Sequence, residues 1–199
     1  RCQVERAYSM GFEPYMFSKV EFYVVDKESG EPVDTAGYCS LPPDDKCYAF
    51  RHKLGEICKQ LGVHVKRIHH ECGPAQNEME LDFTPCMKNA DDTLLCMWIM
   101  KLLADRSNQE IIFSPKPFVD KAGNGLHHHI LLRDVHTGEN IFANKDLDSN
   151  NNNADKLSEI CRQGIAGLLK YADDITAVFV ATQESFDRLK PGFEAPIFK

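Results

Sequence analysis

Three glutamates occupy positions where a folded sheet could bring their carboxylates together. Glu71 and Glu78 lie at facing ends of two predicted strands, whose side chains alternate between two faces and which are joined by a short connection. Glu21 lies in another predicted strand of similar hydrophobicity. Converging carboxylates repel one another unless a cation neutralises them, and an all-oxygen site favours Mg²⁺ or Mn²⁺ over zinc. The sequence therefore predicts a divalent metal site, which suggests phosphate chemistry. The competing interpretation is that Glu78, Glu80 and Asp82 form the solvated face of an edge strand.

Histidines form a second group of candidates. His127 and His129 are two residues apart in a predicted strand, so their side chains point the same way just behind the Gly123-Asn124-Gly125 turn. A second pair, His69-His70, comes just before the acidic positions. A lone histidine is more often a satisfied core or surface group than a ligand, but a His-x-His strand behind a Gly-x-Gly turn is a more specific signal. His128 points to the opposite face and is expected to be structural.

A loop near the end of the sequence could act as a flap. Arg188 is followed by Pro191-Gly192-Phe193-Glu194-Ala195-Pro196, which places a carboxylate between turn-forming residues. Exposed glutamates in loops often look like this, so the pattern alone is weak evidence for a role of Glu194.

The elements that must position these residues are predicted from apolar periodicity and turn residues. Strands are expected at 20–25, 63–71, 77–83, 110–114 and 126–133, and the apolar run 175–182 is also strand-like. Helices are expected at 1–10, 47–61, 91–103 and about 154–171, the last after a polar loop at 148–153. In the helix at 91–103 the expected core stripe is Leu94, Leu95, Trp98, Ile99 and Leu102. Strand pairs interrupted by amphipathic helices favour an α+β domain with a mostly antiparallel sheet.

Composition narrows the classes of partner. With 43% hydrophobic and 27% charged residues and a net charge of -7, the sequence is typical of a soluble globular domain. There is no basic excess to neutralise a phosphate backbone, so nucleic acid is not expected as a partner. No apolar stretch approaches the ~18 residues of a membrane helix, so no membrane partner is expected.

The eight cysteines include no Cys-x-x-Cys pair, and a chain of this size does not need a disulfide framework. Reduced thiols and a cytoplasmic location are therefore expected, although the even count would permit disulfides. The sequence starts at Arg1 without an initiator Met or a signal peptide and stops at Lys199 after a Pro-Gly loop. It is expected to be a fragment of a longer polypeptide.

Five ordered segments resemble the catalytic domain of the glutamine synthetase family. They are Val20-Glu21-Phe22, His69-His70-Glu71-Cys72-Gly73-Pro74-Ala75-Gln76-Asn77-Glu78, Ser114-Pro115-Lys116-Pro117, Gly123-Asn124-Gly125-Leu126-His127-His128-His129, and Arg188-Leu189-Lys190-Pro191-Gly192-Phe193-Glu194-Ala195-Pro196. The resemblance covers nearly the whole sequence and implies that residues 1–199 are the first part of such a domain. The implied fold is α+β, with a curved, mostly antiparallel sheet backed by helices and a metal-lined concave face.

The resemblance also implies an activity. In that family Mg²⁺ or Mn²⁺ ions hold the phosphates of ATP while the side-chain carboxylate of glutamate attacks the γ-phosphate, and ammonia or an amine then displaces the acyl phosphate. Carried over by position, the metal ligands are Glu21, Glu71 and Glu78 at one ion and His127 at the second. His129 resembles a residue that contacts the nucleotide on its phosphate side, and Gly123 resembles a backbone contact to the amino-acid substrate. Arg188 resembles a partner for a substrate carboxylate or phosphate. Glu194 resembles the flap residue that shields the acyl phosphate and receives a proton.

Several residues depart from the family pattern. Lys19 stands where the family usually has a further metal-binding glutamate, and Lys66 stands where a glutamate often faces the ribose. Ala122 and Leu131 replace a common asparagine and a common serine. Each change removes a polar contact to ATP or glutamate. A catalytically silent relative with a structural or regulatory binding role therefore remains the alternative, and a purely structural carboxylate face without any ligand is a third possibility.

The resemblance further implies that something is missing from the site. The sequence lacks the family's amino-terminal β-grasp domain and the carboxy-terminal stretch that supplies more arginines and one more metal-binding glutamate. In the family, a neighbouring subunit's amino-terminal domain closes over the catalytic sheet. A homo-oligomer is therefore expected for the full-length protein, and the 199-residue chain alone is not expected to ligate anything.

Overall fold

The computed structural model describes residues 1–144 and 156–195. Within these ranges the chain forms six helices and six strands. The strands are β1 (Phe12–Asp26), β2 (Val65–His70), β3 (Gln76–Leu81), β4 (Thr84–Pro85), β5 (Gln109–Ile112) and β6 (Leu126–Asp134). The helices are α1 (Cys2–Ser9), α2 (Tyr48–Gln60), α3 (Cys86–Asp105), α4 (Glu159–Lys170), α5 (Ala172–Phe179) and α6 (Gln183–Arg188).

The 15-residue strand β1 organises the sheet. Along one edge β1 pairs with β4 and β3, and along the other it pairs with β6 and β5, while β2 adds to the outer edge of β3. All of these pairings are antiparallel. The predicted α+β class with an antiparallel sheet and helices is therefore confirmed. The sequence located only the second half of β1, because Pro14, Ser18 and Lys19 interrupt the apolar pattern.

One face of the sheet packs on α2 and α3. Phe22 and Val24 of β1 and Met79 of β3 are buried against Leu54 of α2 and Met100 of α3, each with 0% exposure. Burying an apolar side chain of this size contributes about 1.5–3 kcal/mol. Because strand side chains alternate, the residues between these positions must point to the opposite face. That opposite face carries the candidate site.

Helix α3 buries only part of the predicted stripe, since Ile99 lies in the core and Leu95 packs against it. Cys96, Ile99 and Met100 lie in the core, whereas Leu94 and Trp98 are 68% and 59% exposed. Of the predicted stripe, Leu102 is exposed too. Residues 94–100 are apolar all round the helix, so periodicity carries little information about which face turns inward. Contact with the sheet decides the orientation.

The strand-like run 175–182 is another expectation that the structure overturns. Its first part belongs to helix α5, which has Asp173 and Asp174 in its first turn. Acidic side chains at a helix N-terminus stabilise the helix through its dipole, and this position outweighs the β-propensity of the following residues. The helix expected from residue 154 begins at Glu159, where the side chain of Ser158 accepts a hydrogen bond from the N–H of Cys161. Residues 154–155 and the polar loop at 148–153 lie outside the described residues.

Helix hydrophobicity and the cysteines relate to the expectations of no membrane partner and of reduced thiols. In the described part of the chain, no helix combines the length and apolar character needed to cross a membrane. All eight cysteines are free thiols. Cys58 of α2 and Cys96 of α3 lie in the core with their sulfur atoms 3.6 Å apart.

Candidate active site

Two rows of side chains cross the solvent face of the sheet. Strand register places residues of β2, β3, β1 and β6 side by side in each row. The first row consists of Arg67, Glu80, Lys19 and His127, and the second consists of His69, Glu78, Glu21 and the Gly125 backbone. Because strand side chains repeat every two residues, Lys19 and Glu21 share this face, as do Glu78 and Glu80. The sheet thus concentrates three glutamates and two histidines around Lys19.

The acidic residues of β3 are not the solvated face of an edge strand. β3 lies between β2 and β1, and Glu78 and Glu80 are each 1% exposed. Of the three acidic residues only Asp82 is exposed, and it lies after the end of β3. Sequence alternation identified the shared face of these residues correctly, but burial depends on the neighbouring strands that the sequence alone does not reveal.

Glu21, Glu78 and His127 form one group that could hold a metal ion. Each offers a ligand atom, and these atoms lie within 4.8 Å of one another. His127 Nδ1 lies 3.5 Å from Glu21 Oε1, and Glu21 Oε2 accepts a hydrogen bond of 2.8 Å from Gly125 N. A Cβ at Gly125 would lie 2.6 Å from His127 Nε2, so the absence of a side chain there keeps the space beside the ligands open.

Glu71, the third predicted ligand, lies just after β2. Its Oε1 accepts a hydrogen bond of 2.9 Å from His69 Nε2, and its Oε2 accepts one of 3.1 Å from Cys72 N. Although burial opposes ionisation, these contacts lower the pKa of Glu71. Among the described residues Glu71 is not part of a three-residue ligand group. The structure thus brings Glu21 and Glu78 together with His127, and leaves Glu71 at their side.

Lys19 lies among the carboxylates. Its Nζ is 2.9 Å from Glu78 Oε1 and 3.6 Å from Glu80 Oε1. Burial, together with the neighbouring Glu80 and Glu21 carboxylates, raises the pKa of Glu78 to about 7 in spite of Lys19. Glu80 is also buried, but Arg67 Nε at 2.9 Å lowers its pKa. The site therefore contains its own ammonium group as well as its acids.

Arg188 and Glu194 form a second wall. Arg188 donates from Nε to Asn124 O at 3.3 Å, from Nη1 to Phe193 O at 3.0 Å and from Nη2 to Glu194 O at 3.1 Å. The guanidinium therefore holds the loop that carries Glu194, whose φ is +63°. A Cβ at Gly123 would lie 1.9 Å from Arg188 Cδ, so only glycine permits this close approach.

These walls enclose a cavity of about 400 Å³. Seven of the eight site residues proposed from the sequence line it: Glu21, Glu71, Glu78, Gly123, His127, Arg188 and Glu194. His129 lies outside this cavity, exposed and stacked on Phe17 with ring centroids 4.3 Å apart. Its pKa is lowered by partial burial and by Lys19 and His127. A neighbouring cleft of about 630 Å³ shares four of the lining residues, Glu21, His127, Arg188 and Glu194.

The family model described as the glutamine synthetase catalytic domain matches residues 1–199. The chain belongs to the glutamine synthetase catalytic-domain family. It is 33% identical to the glutamine synthetase of Pyrococcus abyssi over 98% of its own length, and 31% identical to that of Thermotoga maritima over 100%. It spans 43% and 44% of those two proteins.

Solved structures of the family have the same fold. The structure of Plasmodium falciparum glutamine synthetase superposes with a TM-score of 0.84 at 24% identity, over 97% of this chain and 43% of that one. A structure described as apo GmaS superposes with a TM-score of 0.78 at 27% identity, over 94% of this chain and 44% of that one. The curved-sheet architecture implied by the sequence motifs is therefore that of glutamine synthetase relatives.

Three of the four residues that depart from the glutamine synthetase pattern have structural partners here. Lys19 pairs with Glu78 and Glu80, and Lys66 Nζ lies 4.9 Å from the centre of the Phe17 ring. The carbonyl of Ala122 accepts a hydrogen bond of 2.7 Å from the Tyr23 hydroxyl. Each of these three residues therefore makes a specific contact within the chain.

Sequence reasoning missed three residues that complete the face. Glu80 and Arg67 form an ion pair across β2 and β3, and Gln76 Nε2 donates to Gly123 O at 3.1 Å, which fixes the turn before β6. Alternation from Glu78 already placed Glu80 on the same face, so this signal was available. By contrast, the expectation for His128 is confirmed, because His128 Nδ1 lies 3.0 Å from the hydroxyl of buried Ser18 on the other face.

Proposed function

We propose that residues 1–199 are the first part of a catalytic domain that, in the complete protein, joins ammonia or an amine to the side-chain carboxylate of glutamate at the cost of ATP. The observation that supports this proposal best is the cavity of about 400 Å³, where carboxylates and His127 face Gly123, Arg188 and Glu194. Phosphoryl transfer depends mainly on positioning and charge neutralisation, and this cavity offers both acids for a metal and a guanidinium.

The acidic wall fits a divalent ion. Glu21, Glu78 and His127 can each offer a ligand atom to one position, and Gly125 leaves space beside them. We propose that Mg²⁺ or Mn²⁺ is held by Glu21 and Glu78, with Glu71 as the further carboxylate and His127 on the nucleotide side. Such an ion supplies positive charge to the phosphate oxygens of ATP.

The second wall supports roles for the remaining residues. The hydrogen bonds to the carbonyls of Asn124, Phe193 and Glu194 use three of the five N–H groups of Arg188, which leaves two for a substrate carboxylate or a phosphate oxygen. In the proposed reaction the glutamate carboxylate oxygen bonds to the γ-phosphorus of ATP and ADP leaves. The amine nitrogen then bonds to the acyl carbon, phosphate leaves, and the amine proton passes to Glu194. Gly123 holds the amino-acid substrate through its backbone and His129 contacts the nucleotide phosphate side.

The proposal extends to the assembly and its surroundings. Because the chain spans 43% of its Pyrococcus abyssi relative, we propose that further arginines and a closing domain come from the rest of the protein and from a neighbouring copy in a homo-oligomer. The free cysteines support a reducing, cytoplasmic location.

One observation favours a second candidate function. Lys19 Nζ lies 2.9 Å from Glu78 Oε1, so a proposed metal ligand already has a cationic partner. An ammonium can replace the charge of an ion but cannot coordinate phosphate as a metal does. A catalytically silent relative with a regulatory or structural binding role would tolerate this arrangement.

Two measurements test the proposals. Mn²⁺ titration by electron paramagnetic resonance should show weaker binding to Glu78→Ala than to the wild type, whereas the exposed control Glu28→Ala should bind normally. Equal affinity in all three proteins would contradict the metal assignment.

Phosphate release from ATP with glutamate and either ammonia or methylamine should be absent with the 199-residue chain and present with the full-length protein. Silence in both would favour the silent relative.

A further inference from the structure

His69 is held by one ring nitrogen while the other has no partner. Its Nε2 lies 2.9 Å from Glu71 Oε1, and because a carboxylate only accepts hydrogen bonds, Nε2 carries the proton. In the neutral ring Nδ1 is then a bare acceptor. This Nδ1 is buried without a hydrogen-bond partner. A histidine whose outer nitrogen donates to a carboxylate while its inner nitrogen is free has the arrangement of a metal ligand.

Glu80 shows the same arrangement on the neighbouring strand. Its Oε1 lies 2.9 Å from Arg67 Nε, whereas its Oε2 is buried without a hydrogen-bond partner. The residue is 1% exposed, so water does not reach this oxygen freely. Leaving a buried acceptor unsatisfied is costly, and such an atom in a folded protein calls for an explanation such as an ion.

Glu78 completes the group. It lies opposite His69 in the pairing of β2 with β3, and alternation along β3 places it on the same face as Glu80. Ligand atoms of His69, Glu78 and Glu80 lie within 4.8 Å of one another. We propose that these three residues form a transition-metal site next to the Glu21, Glu78 and His127 group, with Glu78 common to both.

The donor set indicates the kind of ion. One imidazole nitrogen and two carboxylate oxygens suit Zn²⁺ or Mn²⁺, whereas Mg²⁺ prefers oxygen ligands and retains its water. Three protein ligands also leave a coordination position open. We assign Zn²⁺ as the ion that fits best. This site does not depend on the proposed ligase activity.

Lys19 acts as a competitor for this site. Its Nζ is 2.9 Å from Glu78 Oε1 and 3.6 Å from Glu80 Oε1, so an incoming ion must move the ammonium away from Glu78. Four carboxylates, those of Glu21, Glu71, Glu78 and Glu80, share this face and its cavity with three basic side chains, Lys19, Arg67 and Arg188. The formal excess of negative charge supports the binding of a divalent ion to this face. Removing the ammonium should therefore tighten binding, because like charges a few ångströms apart in a partly buried site repel strongly.

The experiment titrates Zn²⁺ alone into the chain by isothermal calorimetry. Glu80→Gln and His69→Gln should each weaken binding by about tenfold or more, since losing only a hydrogen-bonded partner of a ligand already costs about 10–100-fold. Lys19→Met should tighten it by a similar factor, while the exposed control Glu28→Gln should leave it unchanged. His127→Gln removes a ligand of the neighbouring group alone, so it should leave the Zn²⁺ affinity of the site formed by His69, Glu78 and Glu80 unchanged.

A second measurement needs no variant and therefore does not depend on whether the variants fold. Nitrogen-15 spectra of the histidine rings should show that Zn²⁺ shifts His69 Nδ1 while Nε2 stays protonated. The proposal is overturned if the His69 ring signals do not change at saturating Zn²⁺, if folded Glu80→Gln binds as tightly as the wild type, or if His127→Gln alone abolishes binding. An unchanged affinity in Lys19→Met would overturn the competing role of Lys19. Loss of ligase activity in the full-length protein would not bear on any of these outcomes.

Discussion

Replacing Gly123 by alanine tests how closely the two walls of the cavity depend on one another. The new methyl group would lie 1.9 Å from Arg188 Cδ and 2.7 Å from the backbone oxygen of Pro115. Arg188 could swing away, but the oxygen of Pro115 belongs to the backbone and can move only together with its loop. The substitution therefore either strains the turn or displaces the guanidinium.

Both routes have a cost that the structure allows us to bound. Overpacking a tight site costs about 1–3 kcal/mol. If Arg188 moves instead, it loses hydrogen bonds to the carbonyls of Asn124, Phe193 and Glu194, and bonds made by a charged group contribute about 1.5–3 kcal/mol each. Because the chain takes the cheaper route, the two costs do not add. We expect the free energy of unfolding to fall by about 2–3 kcal/mol.

Urea unfolding followed by circular dichroism measures this loss. The matched control is Gly164→Ala in helix α4, where a Cβ meets nothing within 4 Å, and where alanine should stabilise the helix by about 0.5–1 kcal/mol. Tryptic cleavage after Arg188 should also become faster in Gly123→Ala, because the displaced Arg188 side chain is no longer buried against the turn and the loop loses its anchor. If Gly123→Ala unfolds within about 0.5 kcal/mol of the wild type and its loop is cleaved no faster, Arg188 does not pack against Gly123 as described.

Three further predictions address the fold around the site. Asp34 accepts hydrogen bonds from His70 and from backbone N–H groups, and these contacts lower its pKa although burial opposes the shift. The stability that this carboxylate contributes is present above its unfolded pKa and is lost as the pH falls through the lower folded pKa. Asp34→Asn should therefore make the free energy of unfolding depend less on pH below about pH 4. Urea unfolding over a range of pH measures this change. Met100→Ala should lower the free energy of unfolding by about 2–5 kcal/mol, whereas Trp98→Gln should change it by less than about 0.5 kcal/mol. If Trp98→Gln were the more destabilising of the two, α3 would bury the stripe suggested by the sequence. Tyr23→Phe removes one hydrogen bond from a buried hydroxyl and should cost about 1 kcal/mol by thermal or urea denaturation, and an unchanged stability would show that this bond does not hold the loop after β5.

The chemistry of the site could be predicted from the sequence because it depends on residue types and on a period of two. Alternation placed Glu78 and Glu80 on one face of a strand, and it separated His128 from His127. The ordered motifs then identified the family, which the comparison with known proteins confirmed over residues 1–199. These inferences needed only local geometry and the order of residues along the chain.

Tertiary structure decided which of these residues meet. The register of β1 against β3 brings Lys19 to Glu78 and Glu80, and β2 covers Glu80 so that its carboxylate is buried. No local pattern contains this information, because strand pairing joins residues about 60 positions apart in the sequence. Helix α3 shows the same limit, since its surface is apolar all round and only contact with the sheet selects Met100 over Trp98. In a strand, local sequence determines which side chains share a face, whereas their neighbours, and therefore their charge environment, depend on long-range pairing and packing.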